Sequence, residues 1–315
     1  LKPSLLDEFG AADRLLFSVE DYRDLSKSKI LVALQELMVN NELLQFYSLF
    51  LLAYTGKNLS MFSSCFIRVE KPYVIEMLDT KVTDEEIENA VMDKYGIKYS
   101  KDGQRLLKAD RYYIVGQCTI ESKIKVICDN AFEKCEEMSS VVLPASVTNI
   151  GHFAFSACQK LSFIDIPENV IGIGDCAFQF CHLETVILPK SLKSIGNGAF
   201  FADDFTSIVL PEGLTKIGIG AFSSTGLISV DIPKGVTHIA NNAFGSCLSL
   251  TSVILPNGLT TIDDNAFCDC WELSSITLPK SIKTIGKNAF ASCFKLDSQI
   301  REELISRFGK EVFGE

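Results

Sequence analysis

An Ala-Phe pair returns at nearly constant intervals through the second half of the chain. Its phenylalanines stand 23, 23, 22, 22, 22, 23 and 23 residues apart. They are Phe132, Phe155, Phe178, Phe200, Phe222, Phe244, Phe267 and Phe290. A unit of this length cannot bury its apolar side chains alone, so it must stack on its neighbours. The repeat therefore predicts a solenoid rather than a compact domain of mixed topology.

A proline gives every unit a second fixed point. It stands 11 residues before the phenylalanine in all units except the first, where Glu121 takes its place. The prolines are Pro144, Pro167, Pro189, Pro211, Pro233, Pro256 and Pro279. The change of one residue in repeat length always falls between Phe and the next Pro. Length therefore varies on one arc of the coil only.

The pattern inside a unit reads L-x-x-I-x-L-P-x-x-V-x-x-I-G-x-x-A-F-x-x-C, as from Leu161 to Cys181. The alternation in I-x-L predicts a strand with two residues facing inward. Proline cannot donate to a ladder of hydrogen bonds, so it ends that strand. We expect the segment 161–167 and its equivalents to form one parallel sheet of at least six strands on a concave side. Phe and the final Cys then close the coil opposite.

These units resemble BspA-type leucine-rich repeats, which occur in bacterial surface proteins and in some protists. The resemblance covers about residues 120–296, and Tyr95–Leu107 is similar to the segment that often precedes such arrays. It implies an α/β fold, a right-handed leucine-rich-repeat solenoid used for protein contact. It implies no substrate, cofactor or catalytic residue.

Four segments follow from these patterns. For residues 1–95 we predict a small helical domain. Apolar residues recur at helical spacing within 30–38 and 43–51, and Thr83 and Glu86 form a capping box at the start of a further helix. That last helix is expected to run to Tyr95 and to end at Gly96. Residues 96–120 form a connecting or N-terminal capping segment, and residues 121–296 form a solenoid of about eight repeats.

Residues 297–315 predict a C-terminal capping helix. Asp297 or Ser298 is the expected N-cap, and Gly309 the expected terminator. Ile300, Leu304 and Phe308 form one apolar stripe between them.

Charge and hydropathy exclude two classes of partner. The chain has 30 basic and 40 acidic residues, a net charge of −10, which disfavours binding to a phosphate backbone. The longest apolar run, Leu43 to Tyr54, is shorter than the ~20 residues that cross a bilayer. We therefore predict no nucleic acid and no membrane insertion. The sequence indicates neither the oligomeric state nor whether a signal peptide precedes Leu1.

Six of the 11 cysteines occupy one repeat position, three residues after Phe. They are Cys135, Cys158, Cys181, Cys247, Cys270 and Cys293, while Asp203 and Thr225 fill that position elsewhere. We interpret them as small, buried, reduced core residues. Disulfides stay open as an alternative, although two runs of three cannot pair among themselves. Zinc is disfavoured, because Cys268-x-Cys270 lacks the spacing of structural sites.

Buried thiols favour the reducing cytoplasm, whereas the resemblance implies export or the cell surface. We favour the cytoplasm, with export or the cell surface as the alternative.

No catalytic or phosphate-binding motif accompanies the repeats. The three histidines, His152, His182 and His238, occupy different repeat positions and match no metal-ligand spacing. The pairs Asp203-Asp204 and Asp263-Asp264 are expected in solvated turns. We predict no cofactor, no metal and no catalytic residue. The enzymatic alternative places a site in the helical domain, near Cys65, Glu70, Tyr73 and Glu76.

The most informative surface is the residue column between the inward I and L. A solvated strand face usually carries polar residues, but this one carries apolar residues among small ones. The candidate binding residues are Phe163, Asp165, Ile187, Val209, Asp231, Ile254 and Thr277, and Val142 shares the column. The alternative is that β-branched residues simply favour strands. A second candidate is the loop after Ala-Phe, whose aromatic residues could instead pack between coils: Phe180, Phe201, Trp271 and Phe294.

These observations favour a non-enzymatic protein-binding module that uses the concave face for an unidentified protein partner. A structural or adhesive cell-surface role is the alternative that the resemblance implies.

Overall fold

The computed structural model describes residues 79–315 of the chain. This part contains two α-helices, α1 (Asp84–Glu88) and α2 (Ser298–Phe308), and a 3-10 helix at Lys310–Phe313. Its strands are β1 (Val91–Met92), β2 (Ile97–Tyr99), β3 (Arg105–Ala109), β4 (Gly116–Thr119), β5 (Val126–Ile127), β6 (Met138–Val142), β7 (Asn149–Ile150), β8 (Phe163–Asp165), β9 (Gly172–Ile173), β10 (Thr185–Ile187), β11 (Ser194–Ile195), β12 (Lys216–Ile217), β13 (Ser229–Asp231), β14 (His238–Ile239), β15 (Ser252–Ile254), β16 (Thr261–Ile262), β17 (Ser275–Ile276) and β18 (Thr284–Ile285). The predicted helical stripes within 30–38 and 43–51 lie outside the described residues.

The strands form a solenoid of about eight turns, with two strand positions in most coils. We call the strands just before the proline position pre-proline strands: β4, β6, β8, β10, β13, β15 and β17. The strands that follow it are post-proline strands: β5, β7, β9, β11, β12, β14, β16 and β18. Every pairing between coils is parallel.

The prediction of one pre-proline sheet of at least six strands is wrong. These strands form three separate ladders, β4–β6, β8–β10 and β13–β15–β17. Each strand has only two to five residues, because a turn precedes it and proline, which has no N–H, follows it. One break falls between β6 and β8, which lie in consecutive coils, and the other between β10 and β13. Residues 207–209 form no strand, in the coil where Phe205 replaces the usual Leu or Met. The longer ladder is post-proline: β5, β7, β9, β11 and β12 continue the sheet of β1, β2 and β3.

Besides the pre-proline and post-proline strands, the phenylalanine loops are joined from coil to coil by backbone hydrogen bonds. The N–H of Phe155 donates to the carbonyl of Ala177 at 2.7 Å, and Phe153 and Ala157 donate to the next coil in the same way. These flanking residues have left-handed φ values of 55° and 58°, so the loop is not a β-strand. The same alternation recurs in all eight phenylalanine loops and holds the coils together on this side.

The core is a stack of the eight repeat phenylalanines, all fully buried. Neighbouring ring centroids are 5.1 to 5.6 Å apart and the rings are within 12° of parallel. Phe205 lies edge-on against two of them, Phe200 and Phe222. The prediction that Phe closes the coil opposite the pre-proline strands is consistent with this stack.

The predicted capping box at the start of α1 is confirmed. The N–H of Glu86 donates to Thr83 Oγ1 at 3.2 Å, and the N–H of Thr83 donates to Glu86 Oε2 at 3.0 Å. Both groups satisfy amides that the first turn of a helix leaves unpaired.

The predicted length of this helix is wrong, because α1 ends at Glu88 rather than at Tyr95. Residues 91–92 form β1, which pairs antiparallel with β2. Asp93 Oδ1 accepts the N–H groups of Tyr95 and Ile97 and so forms the turn between these strands. Gly96 lies in that turn with a φ of 76° and does not terminate a helix. The hairpin of β1 and β2 thus forms where the sequence predicts the last turns of the helix.

The predicted C-terminal helix is confirmed as α2. Asp297 is its N-cap, whose carboxylate accepts the N–H groups of Gln299 and Ile300, and Gly309 ends it with a φ of 89°. Leu304 is fully buried against the last coils, with Ile300 and Phe308 packed beside the core.

The residues after α2 continue the repeat in a way that its spacing could have revealed. The N–H of Phe290 donates to the carbonyl of Val312 at 2.8 Å, as each repeat phenylalanine does to the next coil. Phe313 stands 23 residues after Phe290, and its ring centroid is 6.3 Å from that ring. These two residues therefore occupy the Ala-Phe position above the last coil.

Candidate protein-binding face

Side chains of the pre-proline strands alternate between the core and solvent. In β10, Val186 is buried, while Thr185 and Ile187 are exposed, and β8 and β13 show the same pattern. The alternation of I-x-L therefore orients these strands as the sequence predicts. We call the position two residues before proline the outward column, and the position four residues before proline the second column.

The outward column exposes large apolar side chains. Val209 is 84% exposed and Ile187 49%, and Phe163 in the second column is 43% exposed. Val142 and Ile254 are also about half exposed. The polar candidates Asp165, Asp231 and Thr277 are exposed in the same column.

Register brings these candidates side by side. Phe163 is paired with Thr185 and Asp165 with Ile187, while Asp231 is paired with Ile254. Apart from Phe163, the second column carries only serine and threonine. Such short side chains leave the apolar side chains of the outward column open to a partner.

The second candidate surface, the loop after Ala-Phe, is mostly buried. Phe180 and Phe201 are buried and meet edge to face, with ring centroids 5.2 Å apart. Trp271 is half-buried, and Phe294 is 77% exposed. Phe180 and Phe201 therefore pack between coils, as in the alternative interpretation. Of the four aromatic residues, only Phe294 presents a largely exposed ring.

The repeat-position thiols are reduced and buried, as predicted. The structure adds a role that the sequence analysis missed, since each thiol after the first donates to the carbonyl of a phenylalanine in the coil before it. Cys181 Sγ is 3.0 Å from Phe155 O, and Cys247 Sγ is 3.1 Å from Phe222 O. Burial raises the pKa of the Cys247 thiol to about 11. The thiol form, which keeps the donor proton, is therefore stabilised.

We expect the six thiols to resist alkylation while the chain is folded, since the thiolate is the reactive form. Iodoacetamide at about pH 8 should leave them unmodified in the native protein and modify all six after unfolding without reductant. Peptide mapping by mass spectrometry measures this for each cysteine. Peptides of this set that stay linked after unfolding would identify disulfides instead.

Asp203 contradicts the prediction that its acidic pair lies in a solvated turn. It occupies the cysteine position and is only 1% exposed. Its Oδ1 accepts the N–H of Leu183 at 3.1 Å, whereas its Oδ2 is buried without a hydrogen-bond partner. Burial raises the pKa of this carboxyl well above its usual range. The coil thus carries a buried acid where most coils carry a thiol.

Each histidine lies beside an aspartate of the following coil. The closest N–O distances are 3.6 Å for His152 and Asp175, 2.9 Å for His182 and Asp204, and 2.7 Å for His238 and Asp263. Within residues 79–315, no group of three or more His, Cys, Asp or Glu side chains is arranged to hold a metal ion.

The residues of the enzymatic alternative, Cys65, Glu70, Tyr73 and Glu76, lie outside the described residues. In the described part of the chain, neither helix has the length and apolar character needed to span a bilayer.

Comparison with known proteins gives one family match. The model of the BspA type leucine-rich repeat region, in six copies, matches residues 125–251 and 237–315. No curated protein matches the sequence.

Several solved structures are similar. A leucine-rich repeat protein from Bacteroides ovatus is 30% identical, with a TM-score of 0.57 over 70% of this chain and 56% of that chain. The present chain therefore spans little more than half of the Bacteroides protein. The leucine-rich repeat protein of T. pallidum is 24% identical, with a TM-score of 0.49 over 67% and 92% of the two chains. A leucine-rich cell surface protein from Faecalibacterium prausnitzii is 29% identical, with a TM-score of 0.40 over 58% and 59%.

Proposed function

Because the chain belongs to the BspA-type leucine-rich repeat family, we propose that it is a non-enzymatic binding module whose outward and second columns contact another protein. The observation that carries this proposal is the exposed apolar group of Phe163, Ile187 and Val209 on a face otherwise rich in serine and threonine. Exposed apolar patches rimmed by polar groups are typical of protein contacts.

The inward positions of the same strands explain why the outward ones are informative. Replacing Ile164 or Val186 would leave a cavity in the core, at a cost of about 1–5 kcal/mol. The outward column carries no such constraint, so polar residues are free to stand there. Isoleucine and valine stand in adjacent coils of this column instead, which supports a role in binding.

The same face serves the structural or adhesive alternative at a cell surface. The two differ in location rather than in contact chemistry. A secretion leader encoded upstream of Leu1 would favour the adhesive role.

We expect the double variant Ile187→Ser with Val209→Ser to fold normally and to bind at least about tenfold more weakly, a loss of about 1.4 kcal/mol. The probe is a library of displayed random linear peptides, selected on the unmodified protein and then measured against each variant. Both side chains face solvent, so thermal unfolding should change little.

Ile171→Ser with Phe294→Ser is the matched control, since it removes two exposed apolar side chains from other surfaces. Selected peptides that lose affinity for the control alone would move the site away from the outward column. Unfolding of Ile187→Ser with Val209→Ser would contradict the orientation of these strands.

A further inference from the structure

The pre-proline face carries acidic side chains and no basic ones. Three positions in each coil face solvent here: the outward column, the second column and the residue before the second column. Between Ser139 and Thr277, the only charged residues at these positions are Asp165, Glu184 and Asp231. All three are exposed.

These carboxylates have no partner of opposite charge among the described residues. Two lysines at the margin before the strands are paired across neighbouring coils, whereas Lys190, Lys234 and Lys280 are exposed at the other margin, each directly after a proline. Lys160 Nζ is 2.6 Å from Glu137 Oε2, and Lys295 Nζ is 2.5 Å from Glu272 Oε2. The carboxylates on the face itself are therefore in no ion pair and can pair with basic side chains of a partner.

The charges and the apolar group form one linear pattern. Asp165 and Asp231 are separated by three coil steps. Paired strands are ~4.8 Å apart and the buried rings of these coils 5.4 to 5.6 Å apart, so the separation is about 14–16 Å. Ile187 and Val209 occupy the two coils between them. An extended peptide rises about 3.3 Å per residue, so basic residues about four positions apart can reach both carboxylates.

We propose that the partner presents a basic–apolar–basic segment to this column. Its aliphatic or aromatic side chains contact Ile187 and Val209, and its lysine or arginine side chains pair with Asp165 and Asp231. This inference rests on the proposed function of the same face. An acidic segment would place like charges opposite these carboxylates and is disfavoured.

The peptide library tests this chemistry directly. Peptides selected on the unmodified protein should be enriched in lysine or arginine on both sides of an aliphatic or aromatic residue. Their affinity should fall several-fold for Asp165→Asn with Asp231→Asn. That difference should shrink as salt is raised, because exposed charge pairs are screened.

Glu302→Gln with Glu311→Gln changes the net charge equally on the exposed surface of the C-terminal segment and should leave binding unchanged. Peptides that respond to Ile187→Ser with Val209→Ser but lack basic residues, or ignore Asp165→Asn with Asp231→Asn, overturn this inference and leave the proposed function standing. Peptides that ignore both double variants overturn both. A selection that enriches no peptide also overturns the basic segment.

Discussion

Phe200→Ala is expected to lower the free energy of unfolding by about 3–5 kcal/mol, the largest effect that we predict for a single side chain. Its ring is fully buried between Phe178 and Phe222, at centroid distances of 5.4 and 5.6 Å. Phe205 also packs edge-on against it at 6.0 Å. Truncation therefore opens a cavity between the neighbouring coils. The adjacent rings cannot fill it without losing their contacts with the rest of the stack.

Urea unfolding followed by circular dichroism measures this loss. Phe294→Ala is the matched control, because that ring is exposed, and it should change stability by less than about 0.5 kcal/mol. Since each coil contacts only its neighbours, Phe200→Ala should also broaden the transition by weakening coupling between the two halves of the array. A loss below about 1 kcal/mol would contradict the stack as the core of the fold.

Asp203→Asn is expected to stabilise the protein at neutral pH by about 1–3 kcal/mol. The amide oxygen can still accept the N–H of Leu183. The amide nitrogen that replaces the buried Oδ2 lacks an acceptor, but it carries no charge and needs no proton from solvent. At neutral pH the folded chain must otherwise either bury this charge next to Asp204, which is exposed and paired with His182, or take up a proton, and both cost free energy. Asp165→Asn removes an exposed carboxylate and should change stability by less than about 0.5 kcal/mol.

The stabilisation by Asp203→Asn should depend on pH in a defined direction. The pKa of Asp203 is raised in the folded chain, so between the unfolded and folded pKa values the folded chain holds a proton that the unfolded chain has released. Proton uptake by the folded chain adds to the free energy of unfolding. This addition is complete below the unfolded pKa near 4, and it declines as pH rises towards the folded pKa, by up to about 1.4 kcal/mol per pH unit. The advantage of Asp203→Asn should therefore shrink as pH falls. An advantage that grows in acid would contradict a buried neutral carboxyl.

Repetition made the coil predictable from sequence. Eight copies of one spacing identify which residues are equivalent, and hence the buried phenylalanines, the cysteine position and the outward column. The ladders were not predictable, because strands of two or three residues depend on the neighbouring coils. Phe205, which replaces the usual Leu or Met in the coil without a pre-proline strand, marks one of the two breaks between these ladders.

Other features escaped for local reasons. Asn130, Asn242, Asn265 and Asn288 all precede Phe by two residues and have left-handed φ values, a sequence signal for the phenylalanine loop. The solvated turn predicted for Asp203 follows from the usual place of acidic pairs, whereas its repeat position, which cysteine occupies in six other coils, indicates burial. On the candidate face, alternation identified the exposed residues, whereas the basic segment that we propose for a partner rests on carboxylates whose lack of an ion pair the sequence alone does not show.

The phenylalanine loops also constrain how the gene for such a chain can change. Alternate loop amides donate to a carbonyl 21 or 22 residues further along, with Asn288 at 23, and this register depends on the constant arc from Pro to Phe. Duplication or deletion of one whole coil by recombination would preserve every donor and acceptor. A small insertion between Pro and Phe would misalign the loop and its ring, whereas the opposite arc already accepts one residue more or less. We therefore expect array length to evolve in whole coils, with single-codon changes confined to the arc from Phe to Pro.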